Sequence, residues 1–199
     1  MKGCCISRIF KLLFLIILIL AGICSYLGYQ KAADAEAEKG SVATLYTNKV
    51  NPELAAMPLE TGMIDTLIDQ YAGEGFTGSI VKSTANGAVA ALITKNYYLA
   101  DDETISTFLG QKLLAHRLKK TYTKEELAKL YIALEGYDIT GLSSLNSQEL
   151  EALLQNGDLS ALQDLPSQAA PILEGLVEDL CSQGWISRKN AAKLQEVLP

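Results

Sequence analysis

Beyond residue 29 the chain holds one cysteine. Of its four, Cys4, Cys5 and Cys24 all lie in the N-terminal stretch, so Cys181 has no partner for a disulfide in the remainder. Stability there has to come from packing. Acidic residues are missing altogether from Met1 to Tyr29. Nucleotide-binding loops are missing too: Gly73 to Gly78 is a glycine-rich turn, but neither its spacing nor its context fits a phosphate cradle. No internal repeat or low-complexity tract is present.

What the N-terminus does have is Lys2, Arg8 and Lys11 ahead of an apolar run, Leu12 to Gly28. At about 1.5 Å per residue this run spans a bilayer if slightly tilted. The basic residues on its N-terminal side predict a cytoplasmic N-terminus and an outer C-terminal domain. A cleaved signal peptide is the alternative, with small-residue sites at Ala33-Asp34-Ala35 and Ala35-Glu36-Ala37. Those sites lie several polar residues past the run, which favours an uncleaved anchor. A lipoprotein signal at Cys24 is excluded, because Ile23 stands where a small residue is needed. Cys4 and Cys5 are either acylated at the membrane surface or plain cytoplasmic thiols.

Without the three basic residues of the anchor, 14 bases face 23 acids, a formal charge of −9 for the rest. Such a surface repels nucleic acid and anionic headgroups. Arg117, Lys119, Lys120 and Lys124, with His116, form the one basic cluster. It reads either as a solvated helix end favoured by the helix dipole or as a seat for pyrophosphate.

The remainder reads as helical throughout. Gln30 to Asn51 is polar and reads as a stalk or short helix leaving the membrane. A helix follows Asn51, a break falls near Pro58 to Gly62, and Met63 to Tyr71 resumes. Ile80 to Ala100 is apolar, most simply a buried helix near Ala88 to Tyr98. From Thr104, Ile105, Phe108, Leu109, Leu113 and Leu118 form one stripe, expected to be buried. Thr123 and Glu126 have capping-box spacing, and Gly136 ends the helix they open. Asn146 and Glu149 repeat that spacing. Ile172, Leu173, Leu176, Val177 and Leu180 mark a further helix closed by Gly184, and a last one starts at Ser187.

The stretch from Lys95 to Ala133 also carries a resemblance. Lys95 to Leu99, Thr104 to Ser106 and Tyr122 to Ala133 resemble, in order, motifs of the peptidoglycan glycosyltransferase domain of glycosyltransferase family 51. These are membrane-anchored enzymes that polymerise lipid II into glycan strands. The segment Gln183-Gly184-Trp185-Ile186-Ser187 resembles a packing motif near the family's end, and Leu145 to Leu154 another. The resemblance covers roughly Asn51 to Pro199. It implies an all-α, lysozyme-like lobe behind a transmembrane helix, divided as residues 1–11 cytoplasmic, 12–29 anchor, 30–50 stalk and 51–199 domain. It also implies residence in a bacterial cytoplasmic membrane.

The family's chemistry needs a glutamate as general base, because a sugar hydroxyl must lose its proton as it attacks. Thr66 stands at that position, and Gln111 at the position of the second glutamate, which assists the pyrophosphate leaving group. The segment that grips pyrophosphate and sugars reads Asn86 to Leu92, N-G-A-V-A-A-L, without its hydroxyls and amides. Packing positions are kept while positions that carry charge or move protons are replaced. The resemblance therefore implies a catalytically inactive member that acts by binding lipid II, a glycan or cell-wall synthesis proteins, with Lys95, Lys112 and Lys124 as candidate substrate-binding residues; these remnant cations are also the best support for the alternative that follows. Neither a cofactor nor a metal is expected. The alternative is an active transferase with relocated carboxylates, Asp65 or Asp69 as base and Glu103 or Glu126 near the leaving group. A third reading is an unrelated single-pass anchor bearing a small helical domain.

Overall fold

The computed structural model describes residues 3–57, 62–72, 87–99, 104–137, 162 and 170–198, the side chains of 3–9 and 62–66 apart. Every regular element among them is helical. The first, α1 (Gly3–Lys39), has 37 residues, about 55 Å of helix. It is the one helix among the described residues long and apolar enough to cross a membrane. From Phe10 to Ile23 its large side chains are exposed all round, as a helix in contact with lipid requires.

Past Cys24 the same helix changes character. Ala32 and Ala35 are buried, with Cys24 half-buried on the same face. These small side chains, with Gly28 between them, receive α6 (Ile105–Thr121), which runs parallel to α1. Gly28 meets Ser106, Leu109 and Gly110, while Arg117 pairs with Glu36 two turns further along both helices. The crossing is so close that a Cβ on Gly28 would lie 2.7 Å from the Leu109 Cβ, and one on Gly110 would lie 3.0 Å from the Gly28 carbonyl oxygen.

Of the two readings of residues 30–50, a stalk or a short helix, the second holds and the first is corrected: the segment is helical to Lys39 and again from Val42 to Lys49. The segment is polar only on its solvent side, and its alanine face belongs to the core. The chain turns at Gly40 (φ 106°) into α2 (Val42–Lys49). A Glu36 carboxylate oxygen accepts from the Val42 N–H at 3.0 Å. The Tyr122 hydroxyl donates to the Val42 carbonyl and accepts from the Tyr46 N–H at 3.2 Å. Val42 and Leu45 are buried.

After α3 (Pro52–Ala56), capped by Asn51, and α4 (Gly62–Tyr71) come α5 (Ala88–Ile93) and a π-helical continuation, Thr94–Tyr98. The helix α7 (Lys124–Glu135) opens with the Thr123–Glu126 capping box and ends on Gly136 in the left-handed conformation, φ 74°. Its buried Lys129 donates to the Ala55 carbonyl at 2.8 Å and pairs with Glu125, which ties α3 to α7. In α8 (Ala170–Ser182) the stripe Ile172, Leu173, Leu176, Val177 and Leu180 is buried as expected. Gly184 (φ 76°) closes it, and Ser187 caps α9 (Arg188–Gln195). The break at 58–61 and the helix expected from Asn146 lie outside the described residues.

A second correction concerns α6. Its buried side chains are Thr107, Leu114 and Leu118, beside the buried Gly110. Of the stripe expected inside, Leu118 is buried and Leu109 and Leu113 are partly so, whereas Ile105 is 68% and Phe108 55% exposed. The glycine crossing with α1 sets the rotation of α6 about its axis, and that rotation turns Ile105 and Phe108 outward.

Candidate functional site

A groove of about 670 Å³ opens beside the first turns of α6. Phe108, Gln111, Lys112 and Ala115 line it at helical spacings of three and four, which puts them on one face. Thr104, whose hydroxyl caps α6 by accepting from the Thr107 N–H at 3.2 Å, stands at the end of that row. Ala91 and Lys95 come from α5 and its π continuation. Ser182, Gln183 and Trp185 come from the turn that closes α8.

Each wall is held by local contacts. The Gln111 side-chain amide donates to the Leu99 carbonyl at 2.8 Å, fastening α6 to the end of the π segment. On that segment Asn96 donates to Asp179 of α8 at 2.8 Å and to Glu135 of α7 at 3.1 Å. Asp179 also accepts from the Tyr131 hydroxyl at 2.6 Å. Burial, reinforced by that bond to Asp179, pushes the Tyr131 hydroxyl far above its ordinary pKa. The tyrosine therefore stays neutral and serves as a fixed donor behind the groove.

Chemically the groove offers two ammonium groups, amides, hydroxyls and two aromatic rings. Among its described lining residues there is no carboxylate. The Lys112 Nζ sits 5.2 Å from the Phe108 ring centroid, within cation–π range. The Gln183 Nε2 is buried without a hydrogen-bond partner among the described residues, a donor that an oxygen-bearing ligand would satisfy. Among the described residues no three His, Cys, Asp or Glu side chains gather as a metal site.

Of the residues singled out from sequence, Lys95, Gln111 and Lys112 come together here. Lys124 does not: it opens α7 beyond the far end of α6, some ten residues or about 15 Å of helix past Gln111. Asp69 is exposed on α4 and is absent from the groove lining. Asp65 and Thr66 fall within α4, but their side chains, like the whole of Glu103, lie outside the described residues. In the basic cluster Arg117 turns to α1, where it pairs with Glu36 and lies 5.7 Å from the centroid of Tyr29, rather than to a free anion seat.

Trp185, Gln183 and Ser182 were not foreseen as groove residues. Their segment resembles a packing motif, and the signal available in sequence was a tryptophan directly after the turn glycine Gly184. Compared with protein-family models, with curated proteins and with solved structures, the chain matches none.

Proposed function

We propose that this is a membrane-anchored, non-catalytic relative of the peptidoglycan transglycosylases that acts in bacterial cell-wall synthesis by binding, with its N-terminus cytoplasmic and its domain outside. The observation that carries the reading is the groove's chemistry. Lys95 and Lys112 suit the phosphates of a lipid-linked precursor, Trp185 and Phe108 suit the apolar faces of its sugars, and the unpaired Gln183 amide suits a sugar or acetamido oxygen. Proton abstraction from an attacking hydroxyl needs a general base within hydrogen-bond reach, and in the enzymes the chain resembles that base is a carboxylate. The described lining supplies none, and it has Gln111 where the resemblance expects a glutamate.

The test is lipid II binding and glycan-strand synthesis measured on the same full-length protein in detergent. Binding without polymer, weakened at least tenfold in the Lys95→Ala/Lys112→Ala double variant, is the expected result; a tenfold loss corresponds to about 1.4 kcal/mol. Polymer formation refutes the non-catalytic reading and directs attention to Asp65, Asp69 and Glu103. Absence of binding leaves the anchor but removes the precursor as ligand.

A further inference from the structure

Ile105 and Phe108 are the only large apolar side chains outside α1 that stand exposed among the described residues. Their height relative to the anchor is fixed. Lys11 and Lys31 bracket the apolar run, and the helical rise from one to the other is about 30 Å, the thickness of a hydrocarbon core. Lys31 therefore marks the boundary where α1 leaves the bilayer. Tyr26 and Tyr29, 61% and 54% exposed, sit just inside it, where interfacial aromatics belong.

Gly110 lies between Gly28 and Lys31, since a Cβ placed on it would be 3.0 Å from the Gly28 oxygen and 3.4 Å from the Lys31 Cβ. Because α6 runs parallel to α1, each residue before Gly110 lies lower. Phe108 is about 3 Å and Ile105 about 8 Å nearer the bilayer centre than Gly110. Helical side chains also lean toward the N-terminus, which here points into the membrane.

We infer that the first two turns of α6 are immersed in the leaflet from which α1 emerges, with Ile105 and Phe108 among the acyl chains. Lys112, one turn above Phe108, then stands at headgroup height. Phe108 belongs to both the wedge and the groove, so one wall of the groove stands at the lipid–water boundary. The occupant of this apolar surface is the bilayer itself, as a continuation of the lipid-facing surface of α1. With a domain charge of −9 the contact is apolar in origin, and raising the salt concentration leaves it intact. The inference rests on the anchor reading above.

The experiment uses the full-length protein in phosphatidylcholine vesicles, with Trp185→Phe removing the sole native tryptophan. One tryptophan is then introduced at a time: Ile105→Trp, Phe108→Trp, Leu18→Trp in mid-span, or Lys120→Trp at the exposed far end of α6. Lipids brominated near the glycerol end or near the tail of one acyl chain report depth by quenching. Ile105→Trp and Phe108→Trp should lose most of their emission to the shallow bromines, Leu18→Trp to the deep ones, and Lys120→Trp to neither. Both substitutions in the wedge fall on exposed side chains, so folding is not at stake. If the Ile105 and Phe108 variants remain bright while Leu18→Trp is quenched, immersion is overturned and the anchor stands. If Leu18→Trp is also bright, the anchor reading falls and immersion with it.

Discussion

The contact at Gly28 is the sharpest point at which the fold can be challenged. Replacing Gly28 by alanine puts a methyl carbon 2.7 Å from the Leu109 Cβ and 3.2 Å from both the Gly110 nitrogen and the Ser106 oxygen. Carbon atoms rest at about 3.5–4.0 Å, so α1 and α6 must part by roughly 1 Å. Two of the three atoms are backbone, which no rotamer change can move aside. Overpacking of this kind costs about 1–3 kcal/mol, with the upper end expected here, while alanine returns about 1 kcal/mol of helix propensity. The net loss is about 2 kcal/mol, a fall in Tm of roughly 4–8 °C for a chain of this size. Gly110→Ala, whose nearest atoms lie at 3.0 and 3.1 Å, should lose less. Gly22→Ala, with nothing within 4 Å, should be neutral or slightly stabilising. Thermal unfolding in detergent, followed by near-UV circular dichroism, ranks the three. Gly28→Ala melting together with Gly22→Ala would refute the parallel glycine crossing, and with it the height assigned to Ile105 and Phe108.

Burial is the main cause that raises the hydroxyl pKa values of Tyr98 and Tyr131 above those of free tyrosine. The unfolded chain therefore ionises first, near pH 10; their contribution is complete below that pH and is lost as pH rises, by up to about 1.4 kcal/mol per pH unit for each. Urea midpoints between about pH 8 and 11 should fall with a slope that Tyr98→Phe makes shallower. Glu36→Ala removes both the acceptor for the Val42 N–H and the partner of Arg117, and should cost about 2 kcal/mol in urea unfolding. Glu36→Gln, which keeps the acceptor, should cost about half as much.

Features that satisfy backbone groups within a single turn were legible in the sequence. The Thr123–Glu126 box, the left-handed Gly136 and Gly184, and the caps Asn51 and Ser187 all stand where spacing put them, because the donors and acceptors concerned lie within four residues of each other. The stripe of α8 was legible because its apolar positions are unbroken. The face of α6 was not. Its rotation is decided by Gly28, some eighty residues earlier, and apolar residues that read as core from periodicity can equally face lipid. The alanines of residues 30–50 were masked by the charged residues around them. In the groove, Lys95, Gln111 and Lys112 were reached through family resemblance, whereas Gln183 and Trp185 depend on how the chain folds back after α8, which no local pattern records.

The construction of α1 bears directly on what the groove can bind. The helix is clamped where it ends: the Lys39 ammonium donates to the Tyr97 carbonyl at 2.6 Å, the Tyr97 hydroxyl to the Lys39 carbonyl at 2.7 Å, and the Tyr98 hydroxyl to the Gly40 carbonyl at 2.9 Å. Those tyrosines belong to the π segment that carries Lys95 into the groove, and a π turn widens the helix locally to re-aim its side chains. The groove is thus joined to the apolar helix by a glycine crossing at one end and this clamp at the other, so the domain cannot swing as it would on a stalk. For a ligand free in water such rigidity would bring no advantage. If the ligand is the lipid-linked precursor proposed above, its phosphates lie at one height, and a groove joined rigidly to the anchor meets them without the entropy cost of ordering a tether.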